Sequence, residues 1–137
     1  MSEENKALFR EFVYGMDAKD TSVIDRLLDE NFVDHDPGPG QAAGRQGMKD
    51  MMQMFYSGFP DLKATINHLL AEGDMVSGHM TIEGTQTGVF MGIPSSTKKI
   101  SVSEMHLVRV AAGQDVEHWG VVDAMTMMQQ LGVVPED

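Results

Sequence analysis

The sequence predicts an α+β fold in which helices near the N-terminus cover one face of a curved antiparallel sheet. Apolar residues recur at helical spacing before Pro60 and alternate in strand-like segments after Asp61, and helices followed by strands are typical of α+β domains. Turn residues such as Gly73 and Gly113 separate the alternating segments. The 137 residues, of which 42% are hydrophobic, suit a single domain over residues 1–137 with a substantial core.

Three helices are predicted before Pro60. The first covers residues 3–18, and the second covers residues 21–30. The third runs from about residue 45 to 57 and is followed by Gly58, which suits the position just after a helix. Between the second and third helices, NFVDHD is extended, and PGPGQAAG is an irregular loop and a candidate lid.

Four strands are predicted after Asp61, and a short helix over residues 123–132 follows them. Alternation assigns the side chains of each strand to two faces. The third and fourth strands carry polar residues on otherwise apolar faces, Glu104 and His106 in one and His118 in the other. The residues predicted to share one face within each strand are Leu62, Ala64, Ile66, His68 and Leu70 in the first strand, Ile100, Val102, Glu104, His106, Val108 and Val110 in the third, and Val116, His118, Gly120 and Val122 in the fourth.

Composition excludes several classes of function. A formal net charge of −11 disfavours nucleic acid and anionic membranes as partners. The chain has no cysteine, so disulfides and thiolate chemistry are excluded. The polar start MSEENK is not a signal peptide, and no apolar run is long enough to span a bilayer. A cytoplasmic protein that binds a small hydrophobic molecule is the expectation.

His106 and His118 are the first candidates for catalysis. If the inward faces of the neighbouring strands match, both imidazoles point into one interior, with Glu104 beside them. They are then an acid/base pair, or a hydrogen-bond donor to a substrate, in a hydrophobic pocket. The alternatives are hydrogen-bonded core histidines or a polar subunit interface. No HExxH or H-x-H spacing supports a metal site.

Asp36 is the third catalytic candidate, because a carboxylate before a proline at the mouth of a pocket can act as a general base. Its neighbour His35 is a candidate ligand contact, and a solvated turn is the alternative for both. Apolar helix residues Phe12, Met16 and Phe55 are candidates to line the pocket. The 13 methionines suit either a pliable pocket or ordinary core packing. His68 and His79 have no comparable neighbours in the pattern.

Several segments together resemble the SnoaL-like polyketide cyclase family, namely FVDHDPGPG, GFPDLKATI, GTQTGVFMGIP, VEHWGVVD and QQLG. The resemblance covers nearly the whole chain and implies the cone-shaped fold of the nuclear-transport-factor-2-like superfamily. It also implies an intramolecular aldol condensation that uses no metal or organic cofactor. A pocket histidine of the family matches His106, but the position of its acid/base aspartate is Gly120. Cyclisation at a normal rate is therefore not expected unless the loop of Asp36 folds over the pocket.

The sequence also resembles the ketosteroid isomerases, a sister branch of the same superfamily, but over a shorter segment. Asp36-Pro37-Gly38 begins like the segment that carries their proton-shuttling aspartate. Phe12 stands where they have an oxyanion-binding tyrosine, and His106 stands where they have a protonated aspartate. The resemblance therefore favours enolate chemistry over steroid isomerisation.

Two functions follow from different classes. One is a proton-transfer enzyme acting on an apolar carbonyl compound, with Asp36 or His118 as base and His106 as donor. The other is a non-catalytic binder of a small ligand that has lost the cyclase carboxylate at Gly120. A homodimer is expected in both cases, because Met105 and Leu107 lie on the outward face of a strand, where they would form an apolar strip.

Overall fold

A computed structural model describes residues 2–135 and confirms the predicted α+β class. No helix within those residues is long and apolar enough to cross a membrane. The elements, in chain order, are α1 (Ser2–Asp17), α2 (Ser22–Leu27), β1 (Leu28–Asp34), α3 (Gly44–Gly58), β2 (Lys63–Glu72), β3 (Met75–Thr85), β4 (Lys99–Ala111), β5 (Gln114–Val122) and α4 (Ala124–Gln130).

The strands form one curved sheet in the order β1-β5-β4-β3-β2, which is not closed into a barrel. Four of these strands pair antiparallel, as predicted, but β1 pairs with β5 in parallel. The short extended segment before the loop is thus a fifth strand, and the sheet is mixed rather than purely antiparallel as predicted. This pairing joins the end of β1 to the strand that carries His118.

The helices pack on one face of the sheet, which we call the inner face, and the opposite face is the outer face. The Phe9 ring of α1 lies against Gly78 of β3, where an added Cβ would come within 2.3 Å of the Phe9 Cζ atom. Glycine therefore allows α1 to approach the sheet closely. Two clusters of buried apolar residues fill the space, one centred on Phe9, Phe59, Phe90 and Val108, and one on Ile24, Leu28, Phe32 and Met52.

A bulge at Asn67 corrects the predicted face of β2. The pairing passes from Ile66–Met80 to His68–His79, so one residue of β2 is left over. An extra residue reverses the alternation beyond it. His68 consequently lies on the outer face and Leu70 is 71% exposed, so neither shares the face of Ile66 as the alternation had predicted.

His68 and His79, which have no comparable neighbours in the sequence pattern, contact each other in the structure. Their Nδ1 atoms lie 3.0 Å apart on the exposed outer face. The bulge at Asn67 brings the two side chains together, because it shifts His68 into register with His79.

Two helix ends differ from the predicted ones. The second helix stops at Leu27 rather than continuing to residue 30, because Leu28 takes an extended conformation and begins β1 as a buried residue. Gly58 lies inside α3, and Phe59 caps the helix. A Cβ on Gly58 would come within 2.8 Å of the Phe90 Cβ atom, so this glycine provides packing space rather than a left-handed turn.

A second bulge, at Val116 in β5, turns Asp115 inward. The pairing passes from Arg109–Glu117 to Val110–Asp115. Asp115 is 4% exposed, and its Oδ1 atom has no hydrogen-bond partner within residues 2–135. Burial raises the pKa of this carboxyl group to about 7, because a charged carboxylate is poorly solvated in an apolar interior.

We expect Asp115→Asn to remove a fall in stability that wild type shows as the pH rises. The folded pKa is about 7 and the unfolded value is 3.8, so the group does not destabilise the fold below pH 3.8. Stability is lost as the pH rises from there through 7, by about 4 kcal/mol at most.

Urea unfolding of wild type and variant between about pH 3 and pH 8, roughly one pH unit below the unfolded pKa and one above the folded pKa, measures the difference. Asp50→Asn, which changes an exposed carboxyl group of α3, is the control. Parallel pH profiles for wild type and Asp115→Asn would contradict a protonated, buried Asp115.

Candidate active site

A continuous chain of hydrogen bonds crosses the inner face of β1, β5 and β4. Asp34 Oδ1 lies 2.9 Å from His118 Nδ1, and His118 Nε2 lies 2.8 Å from His106 Nδ1. His106 Nε2 lies 2.7 Å from Glu104 Oε1. The four side chains are 7%, 16%, 21% and 11% exposed in that order, so the chain is largely buried but reaches solvent. We call these four groups the inner chain.

Strand register explains why the four groups meet. Asp34 is directly beside His118 in the parallel β1–β5 pair. His106 is opposite Gly120, one inward position along β5 from His118. Glu104 is the next inward residue of β4, so its carboxyl group reaches back to the imidazole of His106. The expectation that both imidazoles share one face is confirmed.

Gly120 provides the space in which the two imidazoles meet. Their ring centroids are 5.0 Å apart although the nitrogens are 2.8 Å apart, so the rings approach edge to edge. A Cβ on Gly120 would lie 2.9 Å from His106 Nδ1 and 2.9 Å from His118 Cε1. Any side chain at position 120 would therefore separate the imidazoles or push them off their partners.

The inner chain needs three protons to complete its hydrogen bonds. Its three hydrogen bonds each need one proton, and two neutral imidazoles supply only two. The chain is complete when it holds a third proton, on an imidazole or on a carboxyl group. Two carboxylates and one extra proton then give the chain a net charge of −1. A fourth proton would place two N–H groups head to head between the imidazoles.

Asp34 organises the buried end of the inner chain. Its Oδ1 also accepts a hydrogen bond from the Asp36 backbone N–H at 3.0 Å, and its Oδ2 accepts one from Gln41 Nε2 at 3.3 Å. Burial alone would raise the pKa of Asp34, but the hydrogen bond from His118 and the backbone bond hold that pKa below its usual value. An ionised Asp34 fixes His118 with its proton on Nδ1.

Asp36 lies beside Gly120 at the end of the β1–β5 pair. The backbone N–H of Gly120 donates to Asp36 Oδ2 at 2.9 Å, so a side-chain carboxylate accepts where the strand pairing ends. Within residues 2–135 no other hydrogen bond engages the Asp36 carboxylate. The loop after β1 therefore folds back, and it brings a carboxylate to the backbone of the residue that lacks one.

His35 lies on the outer face and does not join the candidate ligand contacts of the inner face. Its ring stacks on Trp119 with centroids 4.7 Å apart and planes at 9°. Its Nε2 atom is 2.7 Å from Glu117 Oε2. The interpretation of His35 as a pocket residue is corrected, because alternation along β1 sends it to the side opposite Asp34.

The expected apolar pocket residues are packed against the core. Phe12 and Met16 are half-buried beside the cluster around Ile24, and Phe55 contacts the Phe90 ring at a centroid distance of 4.9 Å. Their role as ligand contacts stays a prediction. Two surface depressions of about 530 and 570 Å³ lie elsewhere, between α1 and α2 and beside the ends of β3 and β4. Neither is lined by a residue of the inner chain.

Sequence reasoning missed Asp34 as a site residue. Its signal was available, because FVDHD and VEHWG place alternating polar residues on two segments that pair in register. Reading it required the parallel pairing of residues more than eighty positions apart. No group of three or more His, Asp or Glu side chains within residues 2–135 is arranged to hold a metal ion.

Comparison with known proteins gives a consistent result. The family model of the SnoaL-like polyketide cyclases matches residues 6–131. No curated protein sequence matches the chain. TsrD from Streptomyces laurentii superposes with a TM-score of 0.88 at 27% identity, over 96% of this chain and 97% of that one.

Two further solved structures are similar over most of their length. AclR, a proposed hydroxylase from Streptomyces galilaeus, has a TM-score of 0.88 at 27% identity, over 98% of this chain and 85% of that one. IdmH, a proposed polyketide cyclase from Streptomyces antibioticus, has a TM-score of 0.83 at 28% identity, over 94% and 99%. Similar folds therefore accompany different assigned chemistries.

We expect Gly120→Ala to break the hydrogen bond between His106 and His118. The added methyl group would occupy the space of the imidazole nitrogens, and a partly buried polar pair without its bond destabilises the fold by about 1–3 kcal/mol. Imidazole ¹⁵N spectra report the bond, and urea unfolding reports the stability.

Gly38→Ala is the matched control, because its Cβ would meet only the Gln41 side chain at 3.6 Å. Unchanged imidazole spectra in Gly120→Ala would show that the inner chain tolerates a side chain there.

Proposed function

Because the chain belongs to the SnoaL-like polyketide cyclase family, we propose that it is a cofactor-free proton-transfer enzyme acting on a hydrophobic carbonyl compound. The inner chain from Asp34 to Glu104 is the observation that carries the proposal. Linked acid and base groups suit the removal of a proton beside a carbonyl group and the protonation of the resulting enolate.

Asp36 is the proposed base. The family resemblance assigns this role to a carboxylate at the position of Gly120, and the Asp36 carboxylate is hydrogen-bonded to the backbone of that residue at 2.9 Å. Its second oxygen has no hydrogen bond within residues 2–135, which leaves it available to a substrate. The base is thus supplied by the loop after β1 instead of by β5.

Glu104 is the proposed terminal acid, supported by the two imidazoles. All four ring nitrogens of His106 and His118 are engaged within the inner chain, so neither ring can contact a substrate without losing a bond. Within residues 2–135 no hydrogen bond engages the Oε2 atom of Glu104. When the third proton of the inner chain resides on Glu104 it lies in the bond to His106, and the carboxyl group delivers it to a substrate by giving up that bond.

The proposed step is balanced in protons and electrons. Asp36 removes a proton from the carbon beside the carbonyl group, and the electron pair of that C–H bond forms the C=C bond of an enol. The carbonyl oxygen takes the proton of Glu104. When Asp36 returns its proton to the same carbon and the enol returns its proton to Glu104, the substrate and the site are regenerated. In a substrate with a C=C bond beyond that carbon the intermediate is a dienol, and return of the proton to its far carbon shifts the C=C bond and gives an isomerised carbonyl compound.

A non-catalytic ligand-binding protein is the second candidate function. The absence of a carboxylate at Gly120 favours it, together with the engagement of every ring nitrogen in the inner chain. In this case the chain of hydrogen bonds is a rigid polar patch that recognises a carbonyl or hydroxyl group.

We expect wild type to catalyse exchange of the α-hydrogen of a fused aromatic β-keto ester for deuterium. ¹H NMR in D₂O measures the rate. Asp36→Asn should lower kcat by roughly 10²–10⁴-fold, the usual contribution of a general base. Glu104→Gln should lower kcat as well, because an amide accepts the bond from His106 but carries no transferable proton. Glu30→Gln, which changes an exposed carboxyl group of β1, should leave the rate unchanged.

Wild-type exchange in Asp36→Asn would exclude Asp36 as the base. Ligand binding without exchange above the buffer rate would support the binding protein instead.

We also propose a homodimer formed through the outer face of the sheet. Met105 and Val121 pair across β4 and β5 on the outer face and are 48% and 72% exposed. Contiguous exposed apolar residues usually mark an interface. Light scattering at micromolar concentration should give a dimer mass for wild type and a monomer mass for Met105→Glu. Val133→Glu, which changes an exposed apolar residue outside the sheet, is the control. A monomeric wild type would refute the assembly.

A further inference from the structure

Residues 34–36 alternate between the two sides of the sheet. Asp34 joins the inner chain, and Asp36 accepts the Gly120 N–H at the end of the strand pair. His35, between them, is held on the outer face. The last backbone bond of the pair runs from His35 N–H to the carbonyl of His118 at 2.8 Å. The position of the Asp36 carboxylate therefore depends on how firmly His35 is held.

Three side chains of β4 and β5 hold His35. The Trp119 ring stacks on it at 4.7 Å, and Glu117 Oε2 lies 2.7 Å from its Nε2 atom. Glu117 Oε1 accepts from Arg109 Nε at 2.6 Å, so Glu117 is fixed from both sides. Hydrogen bonds from His35 and Arg109 hold the pKa of Glu117 below its ordinary value, which keeps it ionised at neutral pH. We call Arg109, Glu117 and Trp119 the outer clamp.

We propose that the outer clamp makes His35 the positioning residue of Asp36. The inference rests on the proposed function, in which Asp36 is the base. A residue on one face of a strand fixes the φ and ψ angles of its neighbour on the other, because backbone geometry couples consecutive residues. The outer face thereby sets the place of a catalytic group that it does not touch.

The loop that follows explains why a clamp is needed. The eight residues after Asp36 read PGPGQAAG, and glycine-rich segments lose much conformational freedom when they are ordered. β1 also lies at the edge of the sheet, so only β5 pairs with it. Asp34 holds the Asp36 backbone N–H from the inner side at 3.0 Å. The stacked and hydrogen-bonded His35 side chain supplies the restraint from the outer side.

The test uses the backbone amide of Gly120, which needs no substrate. In ¹⁵N-labelled protein, the Gly120 amide should be protected from hydrogen exchange, and its chemical shift should follow the ionisation of Asp36. Asp36→Ala gives the reference for a lost bond. We expect His35→Ala to reduce the protection by roughly tenfold or more, since a hydrogen bond from an amide to a carboxylate is stronger than one between neutral groups. The Gly120 chemical shift should also move toward its value in Asp36→Ala.

Partial variants separate positioning from a general loss of structure. His35→Phe keeps a ring for Trp119 and His35→Gln keeps a donor for Glu117, so each should retain part of the Gly120 protection. The imidazole spectra of His106 and His118 should stay as in wild type. Val33→Ala, which alters an exposed outer residue of β1 that is not held by the outer clamp, should change nothing.

Kinetics give a second measurement. With the β-keto ester, misplacement of the base should lower kcat by roughly 10- to 100-fold in His35→Ala while KM stays within twofold of the wild-type value. Gly120 protection and shift that remain at wild-type values in His35→Ala would overturn the positioning role. That outcome is independent of the proposed function, because it is measured without substrate. If the protein has no exchange activity but Gly120 protection still depends on His35, only the proposed enzymatic function is refuted.

Discussion

The parallel pairing of β1 with β5 is the interaction on which the rest of the site depends. It places Asp34 beside His118, which gives the inner chain its ionised, buried end. The same register sets His35 against Trp119 and Asp36 against the Gly120 N–H. A shift of one residue would exchange the two faces of β1 and separate all three contacts. An N-terminal strand and the last strand of the chain therefore build the site jointly, and neither has its functional geometry alone.

Gly120 shows how one small residue excludes one arrangement and permits another. A carboxylate at position 120 would need a Cβ within 2.9 Å of His106 Nδ1, where the imidazole pair now meets. The His106–His118 bond and a side chain at that position are thus mutually exclusive without rearrangement. The protein has the imidazole pair, and the loop after β1 presents the Asp36 carboxylate instead. The absence of a side chain at position 120 is in this sense a packing requirement of the inner chain.

Alternation predicted the shared face of Glu104, His106 and Val108 correctly because β4 is regular where these residues lie. The same rule failed for His68 and Leu70, because a bulge at Asn67 adds a residue that the alternation does not mark. A second bulge, at Val116, turns Asp115 inward, which the sequence pattern did not indicate. Asp34 was missed for another reason. Its partner is determined by a long-range parallel pairing, and local periodicity carries no information about which strands become neighbours. The fold class and the imidazole pair were therefore accessible from the sequence, whereas the ends of the inner chain and the place of His35 required the structure.

Charge accounting shows why an enzyme with this site would need both Asp36 and the inner chain. With three protons the chain carries −1, and an ionised Asp36 adds another −1. A bare enolate beside these groups would be a third negative charge close to two others, which is unfavourable. If Glu104 protonates the carbonyl oxygen as Asp36 takes the carbon-bound proton, Asp36 becomes neutral, the chain becomes −2 and the substrate stays neutral. The negative charge then moves between protein groups, with the two imidazoles sharing the remaining protons. Such a site suits a neutral carbonyl compound and repels a substrate that carries a carboxylate near the reacting carbon.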